Sequence, residues 1–242
     1  MMIKGLIFDY GGTLDTGGCH WGQVLWHAYE RHHIPVSEAQ FRKAYVHVER
    51  LLGAREEPVI RPHFTFRQTL DTKIGLQMRW LGLDRMDGSF VATKEPSLIA
   101  DDVYAQTQRH TAHSIEVLSR LKAHYPLLLV SNFYGNLRVV LHEFGFDGLF
   151  QQVIESAAVG IRKPDERIFL LAIEALGLQP DEVAVVGDSI KNDIEPAHRI
   201  GCHTIWYKGE QWNPSDQSAD ITIGDMSELI SILSCEESSE HS

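Results

Sequence analysis

Cysteine is scarce in this chain: Cys19, Cys202 and Cys235 are the only three among 242 residues. Thiols so few and so widely spaced make neither a disulfide framework nor a paired-cysteine metal knuckle. Free thiols suit a reducing compartment, so a cytoplasmic location is expected. No apolar run approaches the roughly 20 residues that a membrane helix needs, and the stretch before Asp9 is too short for a signal-peptide core. Positive charge is also in short supply. There are 22 Lys+Arg against 33 Asp+Glu, a formal net charge of −11 at pH 7. Such a surface repels nucleic-acid phosphates and anionic lipid, so neither nucleic acid nor membrane is an expected partner. Any phosphorylated ligand would need locally assembled positive charge. Internal repeats are missing, and the only biased segment is the polar tail at 236–242, expected to fray. Oligomeric state leaves no trace in the sequence.

What is present fits an α/β protein. With 43% hydrophobic and 23% charged residues, the chain can bury one large α/β domain and an inserted subdomain. Short apolar runs at 3–8, 127–130, 183–186 and 203–207 read as strands buried on both faces of a parallel sheet. Shorter strands are expected near 153–156 and 219–223. Helix-period segments at 114–124, 136–144, 166–176, 193–200 and 226–233 alternate with them, which predicts a doubly wound parallel-sheet core. From 17 to 110 the alternation stops. Helical patterns fill that stretch, at 21–33, 37–52, 65–83 and 96–109, the second opening with a capping box between Ser37 and Gln40. Residues 82–94 separate the last two. The expected organisation is an α/β core of residues 1–16 and 111–242, with residues 17–110 as an inserted all-helical cap.

In an open parallel sheet, reactive groups gather at the carboxyl ends of the strands. Those ends carry Asp9, Ser131, Asp188 with Asp193, and Lys163 beyond the short strand near 153–156. These are the types one would place around a phosphoryl group: a carboxylate nucleophile, a hydroxyl donor, an ammonium, and further carboxylates for a metal. Each alone is ordinary, since an Asp or Ser after a strand usually makes a turn or a cap.

Taken in order, the segments carry a specific resemblance. Asp9-Tyr10-Gly11-Gly12-Thr13-Leu14-Asp15 resembles the first motif of the haloacid dehalogenase superfamily. Val130-Ser131-Asn132 is similar to the second, Lys163-Pro164 to the third, and Gly187-Asp188 with Asp193 to the fourth. The resemblance covers roughly residues 1–16 and 110–225. It implies a Rossmann-like core with a C1-type cap and a hydrolase acting on a phosphorylated small molecule with Mg²⁺. Asp9 would be the nucleophile and form an aspartyl-phosphate. Lys163 would neutralise charge, while Ser131 and the backbone near Asn132 would bind the phosphoryl group. Thr13 would stabilise the loop beside it. Mg²⁺ would bind Asp9, Asp188 and the Gly11 carbonyl, with Asp193 either completing that shell or orienting Lys163.

One position departs from the pattern. Phosphatases of this family carry a second Asp two residues after the nucleophile, as general acid and base, and here Gly11 stands there. Three readings stay open. In one, the protein is a phosphatase-like hydrolase whose missing acid comes from the cap, from Asp15 or from an acidic leaving group. In another it performs related chemistry: a phosphonatase-like Schiff base on a cap lysine, with Lys43 and Lys73 as candidates, or dehalogenation, which the retained Asp188 and Asp193 argue against. In the third it binds a phosphorylated ligand without turnover. Specificity is expected from the cap and the loops facing it, with Trp21, Arg42, Arg55 and Asn132 as candidates. The scattered His27, His32, His33, His47 and His63 have no ligand spacing, and Asp84 is expected on the insert's surface.

Overall fold

The computed structural model describes residues 3–53, 58–83, 95–212 and 219–238. Arg55, Asp84 and the side chain of Cys235 lie outside the described residues, as does most of the 82–94 segment. Six strands, β1 (Gly5–Phe8), β2 (Leu127–Ser131), β3 (Gln152–Glu155), β4 (Val183–Gly187), β5 (His203–Tyr207) and β6 (Ile221–Ile223), form one parallel sheet. Their spatial order is β3-β2-β1-β4-β5-β6. Each strand falls on or within two residues of a predicted apolar run.

The sheet is buried from both sides, and the two-residue period of a strand decides which side each residue serves. Leu6, Phe8, Leu127, Leu129, Ala184 and Val186 belong to one apolar cluster. The intervening Ile7, Leu128, Val130, Val183 and Val185 belong to the other. That second cluster is closed by α7 (Arg167–Leu176), through Ile168, Phe169, Ala172 and Ile173, and by Ala197 of α8 (Glu195–Arg199). On the first face lie α5 (Leu137–Phe144) and α9 (Glu228–Ser238), with Leu137, Val140, Leu141 and Leu229 buried. The short α6 (Ser156–Val159) follows β3. Helix α9 runs to Ser238, so the chain is helical through the first three residues of the predicted tail.

Between β1 and β2 come only helices among the described residues: α1 (Trp21–Arg31), α2 (Glu38–Leu52), α3 (Phe66–Trp80) and α4 (Glu95–Leu121). The Ser37–Gln40 capping box forms as predicted, and Thr65–Gln68 makes a second one at the head of α3. Two helices were predicted at 96–109 and 114–124, but α4 is continuous through both. The polar residues at the predicted break are satisfied without interrupting the helix: Thr111 Oγ1 donates to Thr107 O within α4 at 2.9 Å, and Ser114 Oγ donates to Leu14 O in the segment after β1 at 2.9 Å. The expected boundary at 110/111 thus falls within one helix. Phe41, Phe66 and Leu70 of the insert share an apolar cluster with Leu6 and Leu129 of the sheet. No helix among the described residues is long and apolar enough to cross a membrane.

Candidate active site

Strand order reverses at β1, which has β2 on one side and β4 on the other. A crevice opens beyond the carboxyl ends of such strands. Phe8 pairs in register with Leu129 and with Val186, so the residues that follow, Asp9, Ser131 and Asp188, arrive at one edge together. Asp193 reaches the same edge from a single π-helical turn, Ile190–Ile194, which precedes α8.

Two glycines make room for this convergence. A Cβ on Gly187 would lie 2.4 Å from the Asp193 Cβ. Gly12 has φ +104°, and a Cβ there would lie 2.4 Å from Asp188 Oδ1. Replacing Gly187 by Ala should force the π-helical turn outward, at about 1–3 kcal/mol. The melting temperature should fall by roughly 2–12 °C; an unchanged melting curve would mean that Asp193 is not fixed where it is described.

The Lys163 ammonium lies at the centre. It donates to Asp9 Oδ1, to Asp193 Oδ1 at 2.6 Å and to the Val130 carbonyl at 3.1 Å. Thr13 Oγ1 sits 3.2 Å from Asp9 Oδ2 and 3.3 Å from Asp188 Oδ1, and accepts from the Asp188 amide at 3.0 Å. Asp9, Asp188 and Asp193 are all buried, with ligand oxygens within 4.8 Å of one another. Three carboxylates against one ammonium leave two formal negative charges, a hard oxygen set matched to a divalent cation. Burial pushes the Asp9 carboxyl up to about 6, with the Lys163 charge pulling the other way. Burial, then the Asp9 and Asp193 charges, hold Asp188 well above the usual carboxylate range. For Lys163 burial alone would lower the pKa, but Asp193 and Asp9 outweigh it and hold the ammonium above its ordinary value.

Ser131 is 1% exposed, and its Oγ has no hydrogen-bond partner among the described residues. A buried hydroxyl without a partner is costly, and this one lines the cavity above Asp9. Asn132 lines it too, but its side-chain amide is engaged elsewhere. Oδ1 accepts from the Lys163 amide at 2.9 Å and Nδ2 donates to the Lys163 carbonyl at 3.0 Å. It braces the lysine and leaves only backbone groups for a ligand.

The cavity measures about 220 Å³. Its floor is Asp9, Gly11, Ser131, Lys163, Asp188 and Asp193; its far walls come from the insert and the loop after β2. Of the sequence candidates for specificity, Trp21 lines it and Arg42 does not. Arg42 pairs with Glu38 and lies 4.8 Å above the Trp212 ring. Sequence reasoning missed Glu49, Tyr134 and His20. Lys73 Nζ donates to Tyr134 Oη at 3.0 Å and pairs with Glu49 Oε1 at 2.7 Å. Burial alone would lower the Lys73 pKa, but Glu49 and Tyr45 hold it above the ordinary value. A charged amine cannot condense with a carbonyl, which tells against a Schiff base here; Lys43 is exposed and lines no part of the cavity. One signal pointed to Lys73: it falls on the face of α3 that also buries Leu70, Ile74 and Gln77. His20 caps α1 through its ring nitrogen, and burial lowers its pKa to about 4, so it is neutral.

A family model for haloacid dehalogenase-like hydrolases matches residues 3–201. The chain belongs to that family. Among its relatives, phosphoserine phosphatase of Thermus thermophilus is 37% identical over 81 residues, 33% of this chain and 32% of that protein. Glyceraldehyde 3-phosphate phosphatase of Pyrococcus furiosus is 32% identical over 98 residues, 39% of this chain and 41% of that one. The chain thus spans 32% and 41% of the length of these two curated relatives. The crystal structure of a HAD phosphatase from Thermococcus onnurineus superposes with a TM-score of 0.55 at 22% identity, covering 96% of this chain and 98% of that one. That structure therefore shares the fold over nearly the whole length of the chain.

Proposed function

We propose that the protein is a magnesium-dependent phosphatase-like hydrolase that acts on a phosphorylated small molecule through an aspartyl-phosphate on Asp9. The observation that carries this reading is the shared contact of Asp9 and Asp193 with Lys163 beside the partnerless Ser131 hydroxyl. The matched relatives named above are phosphatases of small phosphorylated metabolites, and a cavity of about 220 Å³ suits a ligand of that size. We assign residues 17–110 to a cap that closes the cavity, and residues 1–16 and 111–242 to the core.

Asp9 attacks phosphorus from the strand end, with its carboxylate kept available by Lys163 and Thr13. Lys163 balances the charge of the nucleophile and of the phosphoryl oxygens. Ser131 and the backbone amides by Asn132 donate hydrogen bonds to that group, as suits a transfer governed by positioning and electrostatics. Asp9, Asp188, the Gly11 carbonyl and Asp193 would hold Mg²⁺, which supplies charge neutralisation between nucleophile and phosphate when bound. Asp193 also orients Lys163.

A screen of phosphorylated metabolites with and without Mg²⁺, wild type beside Asp9→Asn, tests this directly. Metal-dependent phosphate release by wild type alone supports it. Gly11 favours a second reading, a protein that binds phosphorylated ligands without turnover. Tight binding by both forms, with no product from either across the panel, would establish that reading instead. Metal binding has a separate check. Asp188→Asn should weaken Mg²⁺ affinity by about tenfold or more in calorimetry, since it removes one of few anionic ligands. The exposed Asp147→Asn should leave affinity unchanged, and equal losses would move the metal site elsewhere.

A further inference from the structure

Gly11 has no side chain to act as acid, yet its surroundings are not those of an empty position. Its φ is not in the positive region that Gly12 occupies. Among the described residues, a Cβ built on it would meet only Trp21, at 3.8 Å from Nε1 and 3.9 Å from Cδ1. That indole N–H donates to Asp15 Oδ2 at 3.1 Å, and the other carboxyl oxygen, Oδ1, accepts from the Gly12 amide at 2.7 Å. Asp15 is 1% exposed and lines the same cavity as Asp9 and Lys163. Its hydrogen-bond partners are neutral N–H groups, whereas Asp9 and Asp193 share the lysine. Asp15 also lines a second cavity, of about 170 Å³, with Thr16, Cys19, His110 and Glu210. Among the described residues it is the one that borders both.

We propose that Asp15 is the acid–base residue of this enzyme, serving in place of the side chain that Gly11 lacks and exchanging its proton through the second cavity. The proposal rests on the reading of Asp9 as nucleophile. In the first step Asp9 bonds to phosphorus, the ester P–O bond breaks, and the leaving oxygen takes the Asp15 proton and departs as an alcohol. In the second a water oxygen attacks the aspartyl-phosphate and gives its proton to Asp15. The bond between Asp9 and phosphorus breaks, and phosphate leaves with both carboxyls restored. The proton balance agrees with the burial of Asp15. Burial, tempered by the Gly12 amide and reinforced by the Asp9 charge, raises its pKa to about 8, so the resting group carries the proton it must donate.

The test compares pre-steady-state bursts on an alkyl ester, glycerol 2-phosphate, and an aryl ester, p-nitrophenyl phosphate, whose leaving group needs little protonation. Asp15→Asn should slow the alkyl burst about 10²-fold, the usual scale of general acid catalysis, and the aryl burst less than tenfold. After the aryl burst, turnover should stall at the phosphoenzyme, because the base that activates water is gone. Adding Gly11→Asp to Asp15→Asn should bring the alkyl burst back to within about tenfold of wild type. A merely structural Asp15 would give equal losses on both esters and no rescue, and either result overturns the proposal. If Asp15→Asn does not fold, Gly11→Asp alone decides. Placed beside a working Asp15 it should raise alkyl turnover by less than tenfold, and a gain near 10²-fold would show that no acid was there. A wild type silent on every ester removes the phosphatase reading and this inference together; an active wild type with the wrong pattern removes only the inference.

Discussion

Asp9→Asn should abolish phosphate release, by about 10⁴-fold or more, while leaving the protein at least as stable as wild type. The size of the loss follows from removing a nucleophile on which both chemical steps depend. The stability follows from the cluster. Asp9, Asp188 and Asp193 crowd three carboxylates within 4.8 Å around a single ammonium. An amide at position 9 removes one of the repelling charges, while Lys163 keeps Asp193 and the Val130 carbonyl. Wild type quenched in acid during turnover should show a phosphoryl adduct in its intact mass, and the variant none. A variant that retains more than a tenth of wild-type turnover would exclude Asp9 as nucleophile, whatever its melting temperature.

The sequence disclosed the floor of this site because that floor is built by strand ends. An apolar run that stops at a polar residue marks both the strand and its carboxyl end, and parallel pairing then aligns Asp9, Ser131 and Asp188 across β1, β2 and β4. The walls were not legible in the same way. Glu49 comes from α2, Lys73 from α3 and Tyr134 from the loop after β2, and no spacing relates the three. They meet only because the helical insert folds back over the sheet edge. Helix α4 escaped for a different reason. Thr107, Thr111 and Ser114 interrupt the apolar period, yet all three are buried against neighbours that accept their hydroxyls or pack on them. Backbone sign was equally hidden. The consecutive glycines at 11 and 12 look alike in sequence, but only Gly12 takes positive φ, so a side chain at 11 is sterically admissible where one at 12 is not. Asn132 shows the limit of motif reading: it sits in the expected place with its side chain turned to Lys163.

Lys163→Met should be the most damaging single change to the fold of the metal-free protein. Methionine keeps roughly the volume and removes the charge, leaving three buried carboxylates with no cation among them. Breaking a buried ion pair from one side costs about 3–5 kcal/mol, which for a chain of this size lowers the melting temperature by roughly 6–20 °C. The pH dependence follows from the directions of the shifts. Lys163 has its folded pKa raised, so its contribution is complete below the unfolded lysine value of about 10.4 and is lost only as pH rises beyond it; near neutrality all of it is at stake. In the variant the carboxyls of Asp9 and Asp188, already raised by burial, lose their compensating charge and rise further. They then take up protons at a higher pH than in the unfolded chain, so acidification stabilises the variant relative to wild type. Its deficit should therefore be smaller at pH 5 than at pH 8. Mg²⁺ should also raise the melting temperature of Lys163→Met more than that of wild type, because the cation no longer competes with an ammonium for Asp9 and Asp193. Turnover should stay at least about 10³-fold below wild type even with saturating Mg²⁺, since the phosphoryl oxygens lose their ammonium as well. A deficit that is the same at both pH values and indifferent to Mg²⁺ would mean that Lys163 stabilises the protein by filling space, and that the three aspartates do not form one charged site.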